Sequence, residues 1–68
     1  MNKSAANLFL KKEVKIYPGD TYSKYGIVVS VDNAGVTFKI TISEDKIQYP
    51  VGKLVFIAFS NNLTMCEA

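Results

Sequence analysis

The sequence contains no histidine, no arginine and no tryptophan, and it has a single cysteine, Cys66. Histidine is the side chain that most often carries acid–base catalysis near neutral pH, so its absence argues against an enzyme. Without arginine, the chain lacks the planar group that reads guanine through two contacts and stacks on bases. One cysteine cannot form an internal disulfide, which fits a reducing compartment. The sequence therefore predicts a non-enzymatic, cytoplasmic protein.

Other missing features exclude further classes of protein. No apolar run approaches the ~18 residues of a membrane span. The apolar stretch near the start is interrupted by Lys11-Lys12-Glu13 and is too short for a signal peptide. No Cys and His cluster suits zinc, and Asp20, Asp32 and Glu44 do not have the spacing of a calcium loop. We therefore expect no membrane association, no metal and no cofactor.

The composition is that of one small globular domain. The chain has 68 residues, which leaves room for a single core, so residues 1–68 are expected to fold as one unit. Hydrophobic residues make up 49% of the chain and charged residues 21%, which excludes a disordered tail. The net charge of +2 is a mild excess, unlike the dense positive charge of a dedicated nucleic-acid arm.

The clearest predicted element is a β-hairpin around Asp32-Asn33-Ala34-Gly35, a cluster typical of turns. On both sides, apolar residues alternate with less apolar ones. If these four residues form the loop, the register pairs Val31 with Val36, Val29 with Phe38 and Ile27 with Ile40. Every facing pair on that side is then apolar, whereas the opposite side pairs Ser30 with Thr37 and Val28 with Lys39.

A second hairpin is predicted from Lys53 to Glu67, with Asn61-Asn62 as a two-residue turn. Asparagine adopts positive φ more readily than most residues, which suits such a turn. This register pairs Phe59 with Thr64, Ile57 with Cys66 and Val55 with Ala68 on the core face. Cys66 is therefore expected to be a small buried hydrophobe rather than a nucleophile.

The other face of this second hairpin is also apolar. It carries Leu54, Phe56 and Met65, and a strand that is apolar on both faces needs a second cover. The cover could be a second copy, a different protein or the N-terminal segment. We predict that Leu54, Phe56 and Met65 form a protein interface and that the protein is a homo-oligomer.

The remaining segments are short. Glu13 to Tyr17 alternates as a strand, and residues 4–12 allow either a short helix capped by Ser4 or an early start of that strand. Residues 44–52 are expected to form a connection with a short extended piece, Ile47-Gln48-Tyr49. The total is about five short antiparallel strands, and a partly open small barrel would protect their edges.

Part of the sequence resembles SH3-like small barrels. The resemblance covers the run Tyr17-Pro18-Gly19-Asp20, then Tyr25-Gly26-Ile27-Val28-Val29-Ser30-Val31-Asp32 and the alternating strand that follows. Those domains often have a Gly-Asp turn after the first strand and a Gly-Xaa-Val pattern opening the second. An N-terminal helix before five strands is also similar to Sm-like proteins, which build rings that bind RNA. No residue set here matches an Sm-type uridine pocket, whose usual basic contacts need arginine or histidine. The resemblance implies a mainly β, five-stranded antiparallel SH3-like barrel, and a fold does not imply a function.

A second candidate surface combines tyrosines and lysines around one predicted loop: Lys15, Tyr17, Tyr22, Lys24 and Tyr25. Lys39 joins them on the same side if the first strand pairs with the hairpin. Aromatic rings interleaved with lysines can stack bases while the ammonium groups contact phosphates. Tyrosines in small barrels also cap the core with their hydroxyls in water, and nearby acidic residues weaken the positive field. These residues are a candidate nucleic-acid surface or second contact surface.

The leading interpretation is a small binding protein that acts by protein–protein interaction, with nucleic-acid binding as the alternative. Lysine without arginine, together with five asparagines and six isoleucines, is typical of an AT-rich genome. Small proteins of that kind are common in phages and mobile elements. A host protein that this chain would modulate is therefore one predicted partner.

Overall fold

The computed structural model describes residues 1–19 and 23–68. It contains one short helix and five strands: α1 (Lys3–Asn7), β1 (Glu13–Tyr17), β2 (Lys24–Val31), β3 (Gly35–Ile42), β4 (Leu54–Ala58) and β5 (Thr64–Glu67). The strands form one sheet with the order β4-β3-β2-β1-β5, and every neighbouring pair is antiparallel. The prediction of a mainly β fold with five antiparallel strands is confirmed. The sheet is open, with β4 and β5 at its two edges.

The helix α1 decides between the two interpretations of residues 4–12. Asn2, and not Ser4, caps the helix, because its side-chain oxygen accepts a hydrogen bond from the Ala5 amide at 2.9 Å. A helix of five residues is marginal by itself, so packing must hold it. Ala6 is fully buried and provides that packing. Within the described residues, no helix reaches the length and apolar character needed to cross a bilayer.

The hairpin of β2 and β3 forms around the predicted turn, with Val31 opposite Val36. The predicted pair of Ser30 with Thr37 also forms, but the predicted pairs nearer the start of β2 are wrong, because β2 has an irregularity at Val29 that shifts the pairing. Beyond it, Val28 pairs with Phe38. Val28 is fully buried, whereas Val29 is 40% exposed. One extra residue in a strand moves the following side chains to the opposite face.

Strands β4 and β5 do not form the predicted hairpin. β4 pairs with β3, and β5 pairs with β1 at the other edge, where Met65 lies opposite Ile16. Asn61-Asn62 therefore lies in a connection between the two edges of the sheet. Buried Leu63 anchors this connection in the core. An alternating apolar strand fits several neighbours equally well, so the pattern alone did not identify the right partner.

The prediction of a short extended piece at Ile47-Gln48-Tyr49 is also wrong, because these residues lie in a turn. The Asp45 carboxylate accepts hydrogen bonds from the amides of Ile47 and Gln48 at 3.2 and 3.1 Å. The Tyr49 amide donates to the Asp45 carbonyl at 2.8 Å. A carboxylate that binds its own following amides favours a turn over a strand.

The core lies on one face of the sheet and is covered at one place by α1. Its buried side chains are Ala6, Val14, Ile16, Val28, Val36, Phe38, Ile40, Leu63 and Met65. Gly26 allows β2 to approach β3 closely. A Cβ atom at this position would lie 2.5 Å from the Lys39 carbonyl oxygen and 2.6 Å from Phe38 Cδ2. Only glycine fits there without displacing the backbone of β3.

Candidate binding surfaces

The first candidate surface is the outer side of β4, which we call the β4 edge. Among the described residues, β4 pairs with β3 alone and is an outermost strand. The Ile40 amide donates to the Lys53 carbonyl at 2.9 Å, which fixes the phase of the ladder. Hydrogen-bonded and non-hydrogen-bonded pairs alternate in an antiparallel ladder. The N–H and C=O groups of Leu54, Phe56 and Ala58 therefore point away from β3.

The side chains of the β4 edge are apolar and exposed. Leu54 is 59% exposed and Phe56 is 52% exposed. The strand contains no charged residue, proline or glycine, so it lacks the usual devices that keep edge strands from pairing. At the other edge of the sheet, Glu67 forms an ion pair with Lys12, with 3.0 Å between Oε1 and Nζ. The β4 edge is thus the less protected of the two.

The Phe56 ring lies against the neighbouring strand. A Cβ atom added to Gly35 would lie 2.8 Å from Phe56 Cζ, so the ring occupies the space above this glycine. Gly35 is buried, although it is at the start of β3 on the outer face. The residue stays 52% exposed while its ring tip lies over Gly35. Phe56 therefore presents a positioned apolar surface.

The structure separates the three predicted interface residues. Leu54 and Phe56 share the outer face of β4, whereas Met65 is only 9% exposed and packs in the core. Since β4 and β5 are opposite edges of the sheet, Met65 cannot join the other two on one surface. The predicted grouping depended on the β4–β5 hairpin, which does not form.

The second candidate surface is a cavity of about 480 Å³, which we call the Lys–Tyr cleft. It is lined by residues from the connections between β1 and β2 and between β3 and β4, and from the adjoining strands. Its charged and aromatic lining includes Lys15, Lys24, Tyr25 and Tyr49, and two isoleucines form its apolar part. The sequence places these residues far apart, and the sheet brings them together.

Lys15 lies between two tyrosines at one side of the cleft. Its Nζ atom is 5.2 Å from the ring centroid of Tyr17 and 5.4 Å from that of Tyr25, within the range of a cation–π interaction. Hydrogen bonding with the Tyr17 hydroxyl, and then with the Tyr25 hydroxyl, raises the pKa of Lys15 above the ordinary value of 10.5. The Lys15 side chain is therefore protonated and positively charged at neutral pH.

Tyr49 is the centre of a second group of ring and ammonium contacts. Lys24 Nζ lies 4.8 Å from the Tyr49 ring centroid, and Lys53 Nζ lies 5.6 Å from it. Lys53 also donates a hydrogen bond to the Gln48 carbonyl at 2.9 Å. The cleft and its rim thus contain two groups in which lysine ammonium ions contact tyrosine rings.

The structure brings together part of the predicted tyrosine and lysine surface. Lys15, Tyr17 and Tyr25 form one group, as expected from their proximity in β1 and β2. Lys24 lies at the cleft but contacts Tyr49. Tyr22 lies outside the described residues.

Lys39 lies apart from the cleft. Tyr49, which lines the cleft, and Lys53, which contacts the Tyr49 ring, were not predicted from the sequence. Lys39 is exposed on β3 between Ile27 and Leu54, the residues paired with it in the neighbouring strands. Tyr49 and Lys53 belong to the connection between β3 and β4, which the sequence pattern did not link to the tyrosine loop. The only local signal was that a tyrosine and a lysine flank Pro50 and Gly52.

Cys66 is exposed, so its predicted burial is wrong. It pairs with Lys15 across β5 and β1 rather than with Ile57. The error again comes from the predicted β4–β5 hairpin, which placed Cys66 on the core face.

Comparison of the chain with models of known protein families, with curated proteins and with solved structures finds no match.

Proposed function

We propose that this protein is a non-enzymatic binding protein that acts by protein–protein contact along the β4 edge. The observation that supports this function is an outermost strand with exposed Leu54 and Phe56, no charged residue, and backbone groups that no other described residue contacts on its outer side. Addition of a strand to a sheet edge is a common mode of recognition. Backbone hydrogen bonds give it affinity, and the alternate side chains give it specificity.

The partner that we propose first is a second copy of the chain. If two β4 strands pair antiparallel about a two-fold axis at Phe56, the two Phe56 rings face each other and Leu54 faces Ala58. No charged residues are opposed within this pairing, and aromatic cross-strand pairs are favourable. The contact is self-complementary and closes as a dimer. A strand from a different polypeptide, such as a host protein, would compete for the same edge.

The proposed fold and compartment agree with this function. We infer an SH3-like small barrel from five short antiparallel strands, a glycine near the start of β2 that permits close packing, and a helix before β1. We also infer that the protein acts in the cytoplasm, where a reducing environment would keep the exposed thiol of Cys66 free.

Sedimentation velocity over a wide range of protein concentration tests the proposed contact. We expect the native chain to become dimeric as concentration rises and Phe56→Lys to stay monomeric, because two lysines would face each other in the pair. Ile47→Lys is the matched control, since Ile47 is 98% exposed and lies outside β4. A native chain that is monomeric throughout excludes the second copy as partner, and equal effects of the two variants would contradict the β4 edge.

A further inference from the structure

We infer that the Lys–Tyr cleft is a binding site for single-stranded nucleic acid, separate from the β4 edge. Its volume of about 480 Å³ lies within the range of small-ligand sites, and such a cleft can take one nucleotide unit. The cleft lies at the end of the sheet where β1 runs into β2 and β3 into β4. A strand bound there would leave the β4 edge open.

Among the described residues, two tyrosine rings line the cleft and a third lies next to it. Tyr25 and Tyr49 line it from different elements of the chain, and Tyr17, which is 40% exposed, shares the Lys15 ammonium group with Tyr25. Every nucleobase has a flat face that stacks on such a ring, so recognition of this kind does not depend on the base sequence. The lack of arginine is no obstacle, because stacking and phosphate contact do not need base-edge readout.

Each stacking surface has an ammonium group beside it. Lys15 lies over Tyr17 and Tyr25, and Lys24 and Lys53 lie over Tyr49, all with 4.8 to 5.6 Å between Nζ and the ring centroid. A nucleotide joins an aromatic base to a phosphate, so it fits a ring next to an ammonium group. Because members of both groups line one cleft, the site matches a chain of nucleotides better than a single free nucleotide.

The rest of the lining favours nucleic acid over an acidic peptide. Ser23, Ser43 and Gln48 offer hydrogen-bonding groups to base edges, and Ile40 and Ile42 offer apolar surface to base faces. An acidic peptide would use the lysines, but it would offer no flat aromatic group to the tyrosine rings and no apolar group to the isoleucines.

Among the described residues of the lining, two carboxylates limit how strongly the cleft attracts a polyanion. The Asp45 carboxylate accepts hydrogen bonds from the amides of Ile47 and Gln48. Glu44 also lines the cleft and opposes the lysines. We therefore expect only a few phosphate contacts at this site. Its affinity for nucleic acid should depend measurably on the salt concentration and on the charge of Glu44.

Fluorescence anisotropy with labelled ten-nucleotide dT and rU strands tests this inference. If three lysines each neutralise one phosphate, affinity should fall roughly 18-fold as salt rises from about 50 to about 200 mM. We expect a duplex of the same length and a polyglutamate chain to compete poorly. Polyglutamate competing as well as the unlabelled strand would identify a general polyanion surface, and no binding at the lower salt would overturn the inference.

Charge variants locate the site. Lys15→Gln and Lys24→Gln should each weaken binding several-fold, and Glu44→Gln should strengthen it. Lys3→Gln is the matched control, because Lys3 contacts Asn33 at the opposite end of β2 and β3. An equal loss of affinity in Lys3→Gln and Lys24→Gln would contradict a site at the cleft.

Ring variants test stacking separately from charge. Tyr17→Ala should weaken binding at least fivefold, as expected for loss of one stacked base. Tyr49 packs partly against the core, so Tyr49→Leu keeps its bulk while removing the ring. Phe56→Ser should leave nucleic-acid binding unchanged, which distinguishes this site from the proposed protein contact. If binding survives in both tyrosine variants, the stacking mode is wrong.

Discussion

Val28 on β2 lies directly opposite Phe38 on β3, and both side chains are fully buried. The adjacent Val29 falls at the irregularity of β2 and is 40% exposed. Two neighbouring valines therefore have opposite roles, one in the core and one at the surface. The pairing of Val28 with Phe38 sets which residues of β2 face the core from Val28 back to Gly26, where the pairing shifts again.

Substitution of these two valines should reveal the difference. Val28→Ala should lower the free energy of unfolding by about 2 kcal/mol, because it removes buried methyl groups and leaves a cavity. Val29→Ala should change it by less than about 0.5 kcal/mol, as is usual at the surface. Urea denaturation followed by circular dichroism measures both values. A larger loss of unfolding free energy in Val29→Ala than in Val28→Ala would support the regular hairpin register, in which Val29 pairs with Phe38.

Gly26→Ala should also destabilise the fold. The new methyl group would meet the Lys39 carbonyl oxygen at 2.5 Å, and a backbone oxygen cannot move aside cheaply. The expected loss is about 1–3 kcal/mol, the usual range for overpacking. Gly52→Ala provides a comparison, since its φ of 92° strains any side chain but no atom lies within 4 Å of the new methyl. Thermal unfolding that is unchanged in Gly26→Ala would contradict the close approach of β2 to β3.

The pKa of Lys15 should depend on its tyrosine neighbours. The Tyr17 hydroxyl, followed by that of Tyr25, raises this pKa above 10.5, so the folded chain holds the proton more tightly than the unfolded chain. The resulting stabilisation is fully present below pH 10.5 and is lost as pH rises through the folded-state pKa. In an NMR titration, Tyr17→Phe should therefore lower the titration midpoint of Lys15. Equal midpoints in the native chain and the variant would show that the contact is not formed.

Cys66 should react quickly with thiol reagents in the folded protein, because its side chain is exposed on β5. We expect a maleimide to label it at a rate close to that of the unfolded chain, without loss of β structure. Slow labelling that speeds up only in denaturant would place Cys66 in the core, as the predicted β4–β5 hairpin had it.

Local patterns in the sequence predicted the elements that depend on local chemistry. The β2–β3 hairpin and β1 follow from alternation and turn residues, and Lys15, Tyr17 and Tyr25 meet because β1 and β2 are adjacent. The irregularity at Val29 was hidden because both candidate core residues are valines. The alternation of apolar and polar residues cannot show which of two adjacent valines is buried.

Long-range pairing could not be obtained in the same way. Asn61-Asn62 suits a tight turn, yet β5 pairs with β1, where Met65 reaches the core beside Ile16. Which strand pairs with β5 is decided by competition among the strands for one core. The outcome of that competition cannot be read from a single sequence. The contribution of Tyr49 to the cleft depends on the same long-range arrangement and was missed for the same reason.

Amide hydrogen exchange measured by NMR at several protein concentrations tests the proposed contact along β4 most directly. The amides of Leu54, Phe56 and Ala58 point away from β3 and should become protected as concentration rises, because each would then bond to a second strand. On β5, the Ala68 amide donates to the Glu13 carbonyl at 3.1 Å, so the amides of Met65 and Glu67 point away from β1 and should show no such change. Protection that is independent of concentration at β4, or that appears at β5 instead, would contradict the proposed function.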